Sequence, residues 1–558
     1  MSSNASPLVR LLSIFHKHIA LVSGWAKTYP YRSASLGVVL IGVGLRLYQF
    51  LYRRSLWLDE ASLALNIIRR PYMQLLQPLD YHQGAPLGFL FAERFAVNLI
   101  GNNEYALRLI PFLAGTVSLV FLYLLARKLL SDVAVLVAVV CFSLSHYLVY
   151  YSAETKQYAV DVFCALLIWY WGVIVATRPV TWRRALGWSV IGVLTVWFSH
   201  AAVFVLTGVG AVLFVRLAFE RSWPALMRLV LAFSIWMVNG LALYFVSIRH
   251  LAADPILLSY WAGGMAPHPI TSVQTASWLA HTAVRTVRDP AGLAPAVGIL
   301  FALIALGACI FGAILLLRKN PVALALLLAP LILTFVASIL GKYPFQERLI
   351  LFLAPAILLL AASCMNQAVQ PAHGLIAKTR KWLAVVLVSV ILLTPIQDGF
   401  QAIVHPITRS EVRPIFEDIV THWVPGDGLY LHYTAIRQYE YYKTRLNLSA
   451  EGFVLHIPSA GCLDQPLPPS YWTYLTSPAP HPRANGRIWL VFTRWTSPRT
   501  EEQIFYTSAF ATWGRLQSVI RTPGAVAYLY DITGRGMPAS QANFSSQRYS
   551  CLKVVQPT

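Results

Sequence analysis

The stretch SLGVVLIGVGLRLYQFLYRRSLWLDEASLAL, residues 35–65, passes from a long apolar segment directly into two adjacent carboxylates. Residues 34–51 predict a transmembrane helix, because about 20 largely apolar residues are needed to cross a bilayer. Asp59 and Glu60 follow shortly afterwards, beside Trp57. Ionisable residues at a membrane edge are functional candidates by default, but acids also favour the first turn of a helix. Both interpretations of the pair are open at this point.

The composition of the whole chain is that of a polytopic membrane protein. Of its 558 residues, 57% are hydrophobic and 12% are charged, whereas average soluble domains carry about a quarter charged residues. A soluble fold could not cover so much apolar sequence with polar surface. A net charge of +21 would suggest nucleic acid in a soluble protein. Here the basic residues fall mainly between apolar runs, which favours membrane topology and anionic lipid as the explanation.

Hydropathy and segment length predict about eleven transmembrane spans with one consistent orientation. The predicted spans are residues 34–51, 107–126, 132–150, 160–177, 186–201, 202–217, 227–247, 294–317, 322–340, 349–367 and 382–398. If the segment 1–33 is cytoplasmic, every Lys and Arg cluster between spans also falls on the cytoplasmic side, as the positive-inside rule requires. The predicted outer segments are then 52–106, 151–159, 248–293, 341–348 and 399–558.

One apolar stretch in the first outer segment is not predicted to span. Residues 85–101 carry Glu93 and Arg94 at their centre. A further span here would also reverse the sidedness of the basic pair that follows. We therefore predict a helix lying along the membrane interface. The predicted transmembrane catalytic domain comprises residues 34–398.

The composition changes after the last predicted span. From residue 399 onwards, helical patterns over 411–424, 434–445 and 500–514 alternate with strand patterns over 426–433, 486–495 and 525–533. This alternation predicts a small extracytoplasmic α/β domain over residues 399–558. We expect this domain to cover the active site or to select an acceptor. Cys462 and Cys551 lie in it and could form a disulfide outside the cytoplasm, but their spacing does not decide the matter.

Polar side chains gather on the predicted outer face, at the ends of several helices. They are Asp59, Glu60, His82, Glu154, Lys156, Tyr158, His200, Lys342, Tyr343 and Arg348. Acids and cations together predict a cavity that holds an anion and a base. A carboxylate can take the proton of an attacking hydroxyl while Lys and Arg stabilise charge on a departing phosphate. The membrane setting suggests that this phosphate belongs to a lipid.

Four segments resemble, in content and order, the GT-C superfamily of membrane glycosyltransferases. The nearest group is that of the dolichyl-phosphate-mannose protein mannosyltransferases and the bacterial aminoarabinose lipid A transferases. The segments are WLDEASLAL (57–65), HQGAPLGFLFAERFAVNLIGNNEYALRLIPF (82–112), YYSAETKQYAVDVF (150–163) and KYPFQERLILFLAP (342–355). The resemblance implies a GT-C-like membrane fold, a polyprenyl-phosphate-linked sugar donor and inversion at the anomeric carbon.

The resemblance also implies roles for individual residues. Asp59 matches the catalytic base, with Glu60 beside it and Glu154 at the second acidic position. The donor phosphate is expected to contact Lys156, Lys342 and Arg348. The expected substrate contacts are His82, Tyr158, His200 and Tyr343. No metal cluster or cofactor motif is found, although adjacent acids could in principle hold a divalent ion.

The sequence therefore predicts an inverting glycosyltransferase of the plasma (inner) membrane. It would move a sugar from a polyprenyl-phosphate donor to a hydroxyl of a lipid, glycan or protein on the outer face, with no nucleic-acid partner. The alternative is a flippase or transporter of lipid-linked sugars, which would not require a base at Asp59. Transporters tend to show internal repeats and interrupted helices, and neither is evident in the sequence. A third interpretation, a lipid-binding scaffold, would tolerate the loss of Asp59, Glu154 and Arg348.

Overall fold

The structure is a computed structural model that describes most of the chain. The described residues are 27–368, 374–448, 454–457, 486–493, 503–504, 507–508, 510–511 and 514–532. Over these ranges the chain is mainly helical and ends in a small mixed sheet. Cys462 and Cys551 lie outside the described residues, so their pairing stays a question posed by the sequence alone.

The helices alternate long apolar segments with short connecting turns. In chain order, the principal helices are α1 (Pro30–Leu51), α2 (Leu58–Arg69), α3 (Leu87–Ile100), α4 (Leu109–Leu129), α5 (Asp132–Leu144), α6 (His146–Tyr151), α7 (Tyr158–Thr177), α8 (Trp182–Phe198), α9 (Ala202–Phe219), α10 (Trp223–Leu243), α11 (Val273–Arg288), α12 (Ile299–Lys319), α13 (Pro321–Ile339), α14 (Ala354–Ala362), α15 (Leu375–Val404), α16 (Arg413–His422) and α17 (Ile436–Tyr442). Short helices occupy Tyr72–Leu76, Asp80–His82, Ala106–Arg108, Tyr244–Ile248, Arg249–Ala252, Pro255–Tyr260, Ala262–Gly264, Glu347–Leu353, Met365–Ala368 and Tyr433–Ala435.

Eight helices in the described part of the chain are long and apolar enough to cross a membrane. They coincide with eight of the predicted spans and confirm a multi-pass membrane protein. Large apolar side chains on them are exposed, among them Leu40, Met237 and Leu300, as expected of surfaces that face lipid rather than water.

The other three predicted spans fall on shorter or interrupted helices, so the count of eleven is not confirmed. The span predicted at 132–150 is broken at Ser145, where α5 ends and α6 begins. The helix α8 has 17 residues. The last of the three starts as a 3-10 helix, Glu347–Leu353, before continuing as α14.

The helix α2 positions the two adjacent acids. It begins directly after Trp57, so Asp59 and Glu60 occupy its first turn, where the helix dipole favours negative charge. The helix-capping interpretation of the acids is therefore correct in geometry. Capping is not the whole role of these acids, because the two side chains of the same turn have different hydrogen-bond partners.

The stretch that was predicted as an interfacial helix forms α3. Its central Glu93 is fully buried. Arg94 donates from Nη1 to the carbonyls of Ile67 and Ile68 at 2.9 and 2.8 Å. Because these carbonyls belong to the last turn of α2, where helix carbonyls lack internal partners, Arg94 fixes α3 against the helix that carries the acids.

The C-terminal region contains a five-stranded sheet, in agreement with the predicted α/β character. Its strands are β1 (Gly428–His432), β2 (Val454–Ile457), β3 (Arg487–Thr493), β4 (Arg515–Thr522) and β5 (Ala525–Asp531). Their order is β2-β1-β3-β5-β4, with β1 parallel to β2 and β3, and β5 antiparallel to β3 and β4. The sequence pattern predicted β1, β3 and β5 together with α16 and α17, but missed the strands β2 and β4.

The sheet region shares one hydrophobic core with the helices of the membrane region. Leu56 and Leu63, before and within α2, belong to the same buried cluster as Phe416 and Tyr442 of α16 and α17. The helix α17 packs directly on α2. The C-terminal region therefore rests on the segment that carries the acids.

A buried carboxylate reinforces this contact. Glu104 accepts hydrogen bonds from three arginines and one tyrosine, which come from both regions. They are Arg53, Arg413, Tyr442 and Arg445, at donor–acceptor distances of 3.0 to 3.1 Å. Burial opposes ionisation, but the charge of Arg445 and its neighbours outweighs it, and the pKa of Glu104 falls to about 2.

Candidate active site

Asp59 is the centre of an ion-pair network that joins three of the predicted outer loops. Its Oδ1 accepts from Nζ of Lys156 at 2.9 Å, and its Oδ2 lies 3.2 Å from Nη2 of Arg348. Lys156 also donates to Oε1 of Gln83 at 2.5 Å. Residues far apart in sequence therefore meet at a single carboxylate, as the pattern of polar loops predicted.

The environment of Asp59 keeps this carboxylate charged and accessible. Burial alone would raise its pKa, but the positive charges of Lys156 and Arg348 outweigh burial and lower the pKa to about 2. The Asp59 side chain is nevertheless 18% exposed, in contrast to 4% for Lys156. An ionised carboxylate with buried cations and an open side is suited to accept a proton from a molecule that enters the cavity.

Glu60 has the opposite environment. Its side chain is fully buried and forms a bidentate ion pair with Arg108, at 2.9 and 2.8 Å. It also accepts from the backbone N–H of Thr155 at 2.8 Å. Burial raises its pKa, but Arg108 and Arg54 lower it below the ordinary value. Because protein donors occupy its oxygens, Glu60 ties the segment 52–106 to the loop 151–159 and has no side facing a substrate.

Glu154 is buried next to the network. Its Oε1 accepts from Nε1 of Trp57 at 2.7 Å and from the hydroxyl of Tyr150 at 3.3 Å. Its Oε2 is buried and has no hydrogen-bond partner among the described residues. Burial and the charge of Glu60 raise the pKa of Glu154. The carboxyl group therefore favours its protonated form more than an ordinary glutamate does.

Aromatic rings surround the guanidinium group of Arg348. Its Cζ lies 5.6 Å from the ring centroid of Trp57, 5.7 Å from that of Tyr158 and 5.2 Å from that of Trp261. Such rings stabilise a cation without neutralising it. Tyr158 was predicted from sequence, whereas Trp57 and Trp261 were not assigned to the site.

Besides Glu60, Glu154 and Tyr158, four predicted site residues form no hydrogen bond or ion pair with Asp59 in the described part of the chain. His82 pairs through Nδ1 with Oδ2 of Asp254 at 2.9 Å and is largely exposed. Lys342 is exposed, and His200 lies in the turn between α8 and α9 with its Nε2 buried and without a partner. Tyr343 donates to the carbonyl of Leu349 at 2.7 Å.

The structure adds Arg409 to the neighbourhood, a residue that sequence reasoning missed. Its guanidinium lies over the ring of Trp57, with Cζ 4.0 Å from the centroid. A signal was present, because an arginine just after the last predicted span, on the predicted outer side, runs against the positive-inside trend. The described residues contain no group of three or more His, Cys, Asp or Glu side chains that could hold a metal ion.

The fold and the site define a multi-pass membrane protein with a carboxylate-and-cation centre where its loops converge. Residues 84–241 match the family model for dolichyl-phosphate-mannose-protein mannosyltransferase. This match confirms the resemblance over a segment that includes Glu154 and Lys156. It covers less than half of the chain, and both Asp59 and Arg348 lie outside it. No curated protein matches the sequence.

Two solved structures illustrate the level of structural similarity. ArnT from Cupriavidus metallidurans bound to undecaprenyl phosphate is 12% identical with a TM-score of 0.49, over 91% of this chain and 98% of that one. The oligosaccharyltransferase of Archaeoglobus fulgidus in the apo form is 13% identical with a TM-score of 0.46, over 84% and 70% of the two chains. Both TM-scores are below 0.5.

Proposed function

We propose that the protein is an inverting glycosyltransferase that uses a polyprenyl-phosphate-linked sugar as donor and a hydroxyl group as acceptor. The observation that carries the proposal is the Asp59 carboxylate, ionised and partly open, held between the buried cations Lys156 and Arg348 in a multi-pass membrane protein. The family match of residues 84–241 supports the reaction class.

The proposed chemistry is a single displacement. Asp59 accepts the proton of the acceptor hydroxyl while the hydroxyl oxygen attacks the anomeric carbon. The bond from that carbon to the phosphate oxygen breaks, and the phosphate leaves with the electron pair. Its charge changes from one negative to two, and the cations Lys156 and Arg348 stabilise the charge that develops. Attack opposite the leaving group inverts the anomeric centre.

Binding of the donor phosphate would also raise the pKa of Asp59. Lys156 and Arg348 lower the pKa of Asp59 in the described structure. A lipid phosphate between them would take part of their positive charge, and the pKa of Asp59 would rise. Asp59 would then become a stronger base only when a donor is bound, which would couple proton acceptance to the presence of the leaving group.

The neighbouring acids take different parts in this proposal. Glu60 orients the first turn of α2 through Arg108 and Thr155 rather than contacting substrate. Glu154, which is fully buried, holds the indole of Trp57 through its Oε1. The ring of Tyr158, beside Arg348, is placed to pack against the sugar.

The remaining predicted residues receive narrower roles. The exposed side chains of His82 and Lys342 are proposed to meet a bulky acceptor or the donor headgroup. Tyr343 and His200 are proposed to support the substrate cavity from the ends of α13 and α8.

We further propose that the active site and the C-terminal region lie on the outer face of the plasma membrane. The catalytic region predicted over residues 34–398 would extend to the end of α15, and the outer α/β domain predicted over residues 399–558 would begin after it. The helix α15 that carries the last span continues to Val404, so the change of region falls in the connection that follows this helix.

The test is sugar transfer by the purified full-length protein in lipid nanodiscs. Radiolabelled polyprenyl-phosphate sugars would be supplied as donors, with lipid, glycan and peptide acceptors. We expect wild type to transfer at least one sugar with inversion, and Asp59→Asn to lose transfer. Asp80→Asn is the matched control, because Asp80 is an exposed acid of the same loop, paired with Arg70. If the protein reconstituted in vesicles moves donors across the bilayer without any sugar transfer, the transporter alternative is favoured instead.

A further inference from the structure

The connection between α15 and α16 brings a cation to the active site from the C-terminal side. Arg409 lies over the ring of Trp57, with Cζ 4.0 Å from its centroid, and 5.8 Å from the centroid of Tyr150. Trp57 immediately precedes the helix that carries Asp59, and its indole nitrogen is bound to Glu154. The guanidinium of Arg409 therefore sits on a ring whose orientation the site itself fixes.

The backbone around Arg409 is held on both sides. Two residues before it, Ile407 exchanges two hydrogen bonds with the side chain of Gln49 in α1, at 2.6 and 3.0 Å. Two residues after it, Glu411 accepts from both the backbone N–H and the hydroxyl of Ser55, at 2.9 and 3.0 Å. The position of Arg409 is thus set before any ligand binds, which lowers the entropic cost of using it in binding.

Arg409 also differs from the other cations of the site in its partners. Lys156 and Arg348 are both paired with Asp59. Arg409 has no carboxylate within ion-pair distance among the described residues, and it shares the ring of Trp57 with Arg348. The positive charges of Arg348 and Arg409 repel each other, and this repulsion is relieved when an anion binds near both. The site therefore has more positive charge than its own carboxylates neutralise.

We propose that Arg409 is a third cationic contact for the phosphate of the lipid donor, supplied by the segment that leads into the C-terminal region. This inference rests on the glycosyl transfer proposed above and adds to it. Because the donor phosphodiester carries one negative charge and the departing polyprenyl phosphate carries two, a third cation binds the product more strongly than the donor. An interaction that strengthens as charge develops accelerates the chemical step.

The experiment compares Arg409→Gln and Arg409→Lys with wild type in two measurements. The first is the binding of polyprenyl monophosphate, polyprenol and phosphatidylglycerol by native mass spectrometry of the intact protein. The second is inhibition of transfer by added polyprenyl monophosphate, alongside the KM for the donor. We expect Arg409→Gln to weaken the binding of polyprenyl monophosphate roughly tenfold to a hundredfold. The donor KM should rise by a smaller factor, and polyprenol binding should stay unchanged. Arg409→Lys should retain most of the affinity.

Arg437→Gln is the matched control. Arg437 in α17 lies over the ring of Tyr81, with Cζ 3.8 Å from the centroid, so it makes the same type of contact with a ring other than Trp57. The inference is overturned if Arg409→Gln and Arg437→Gln have the same effects. It is also overturned if Arg409→Gln weakens the binding of donor and of polyprenyl monophosphate equally, or weakens the binding of phosphatidylglycerol as much as that of polyprenyl monophosphate. If wild type itself does not prefer polyprenyl monophosphate over polyprenol, the proposed function fails together with the inference. If wild type shows this preference and only the Arg409 variants behave like the control, the inference alone fails.

Discussion

Two carboxylates of the segment 52–106, Asp59 and Glu104, have similarly lowered pKa values but differ in their exposure to solvent. In both, burial opposes ionisation, neighbouring cations outweigh burial, and the pKa falls to about 2. The side chain of Asp59 is 18% exposed, whereas that of Glu104 is 1% exposed. Glu104 is enclosed by three arginines and a tyrosine, whereas Asp59 keeps an open side. A shifted pKa alone therefore does not identify a catalytic acid, because structural ion-pair networks shift pKa values equally well.

The largest effect that distinguishes the two carboxylates is expected for Asp59→Asn. The amide cannot accept the hydroxyl proton, so kcat should fall by roughly two to four orders of magnitude. The unfolding temperature should fall as well, because Lys156 and Arg348 are largely buried and lose their carboxylate, so kcat is compared per folded molecule. Initial rates of sugar transfer and a thermal-shift assay measure both quantities. Full transfer by Asp59→Asn would remove Asp59 as the base.

Glu104→Gln should lower stability without a comparable loss of rate. Removing one charge from a buried ion-pair network leaves the arginines uncompensated, which costs about 3–5 kcal/mol of stability. The stabilisation from Glu104 is present above the pKa of an unfolded glutamate and is lost as the pH falls towards 2, because its folded pKa is lowered. We expect a lower unfolding temperature, with the rate per folded molecule within a few-fold of wild type. A large loss of kcat at full stability would contradict the division of roles.

Lys156→Gln tests how far one neighbouring cation sets the pKa of Asp59. Without this cation the pKa should rise by roughly one to three units from its value of about 2. Transfer needs the ionised carboxylate, so the acid limb of the kcat/KM profile should move to higher pH. Lys156→Arg keeps the charge and should leave the limb in place. An unchanged profile for Lys156→Gln would show that another group controls the acid limb.

The smallest effect is expected for Glu440→Gln. Glu440 of α17 pairs with Arg69 of α2 at 2.7 Å, so it joins the same two regions as Glu104. The Arg69 side chain is 45% exposed, and exposed pairs contribute about 0–1 kcal/mol. The unfolding temperature should therefore hardly change. A decrease as large as that of Glu104→Gln would mean that the number of ion pairs, rather than their burial, holds the C-terminal region in place.

Much of the fold could be predicted because hydrophobicity is a local property. Eight predicted spans coincide with long apolar helices. The strands β1, β3 and β5 follow from local patterns too. Where the prediction differed, tertiary contacts decided the outcome. The break at Ser145 interrupts a continuous apolar run, and the exposed, polar residues of β4 gave no strand signal because that strand forms by pairing with β5.

The site was predictable in part for a similar reason. Sidedness placed Asp59, Lys156 and Arg348 on one face, and the structure brings them into contact. The same reasoning placed His82 and Lys342 there, and these are exposed and apart from Asp59. A loop position fixes the membrane face of a side chain but not its direction. Arg409 was missed because it reaches the site from a connection far along the chain.

The sequence by itself determined the class of protein, the positions of most spans and the face on which its acids and cations collect. These properties depend on apolar length and on the distribution of charge along the chain. Only the tertiary structure decided which of two adjacent acids stays open. Asp59 and Glu60 are chemically alike and one residue apart, but Arg108 and Thr155 enclose Glu60 while Lys156 and Arg348 leave Asp59 accessible. That difference arises from partners brought together by folding, because side-chain desolvation and pairing depend on neighbours in space.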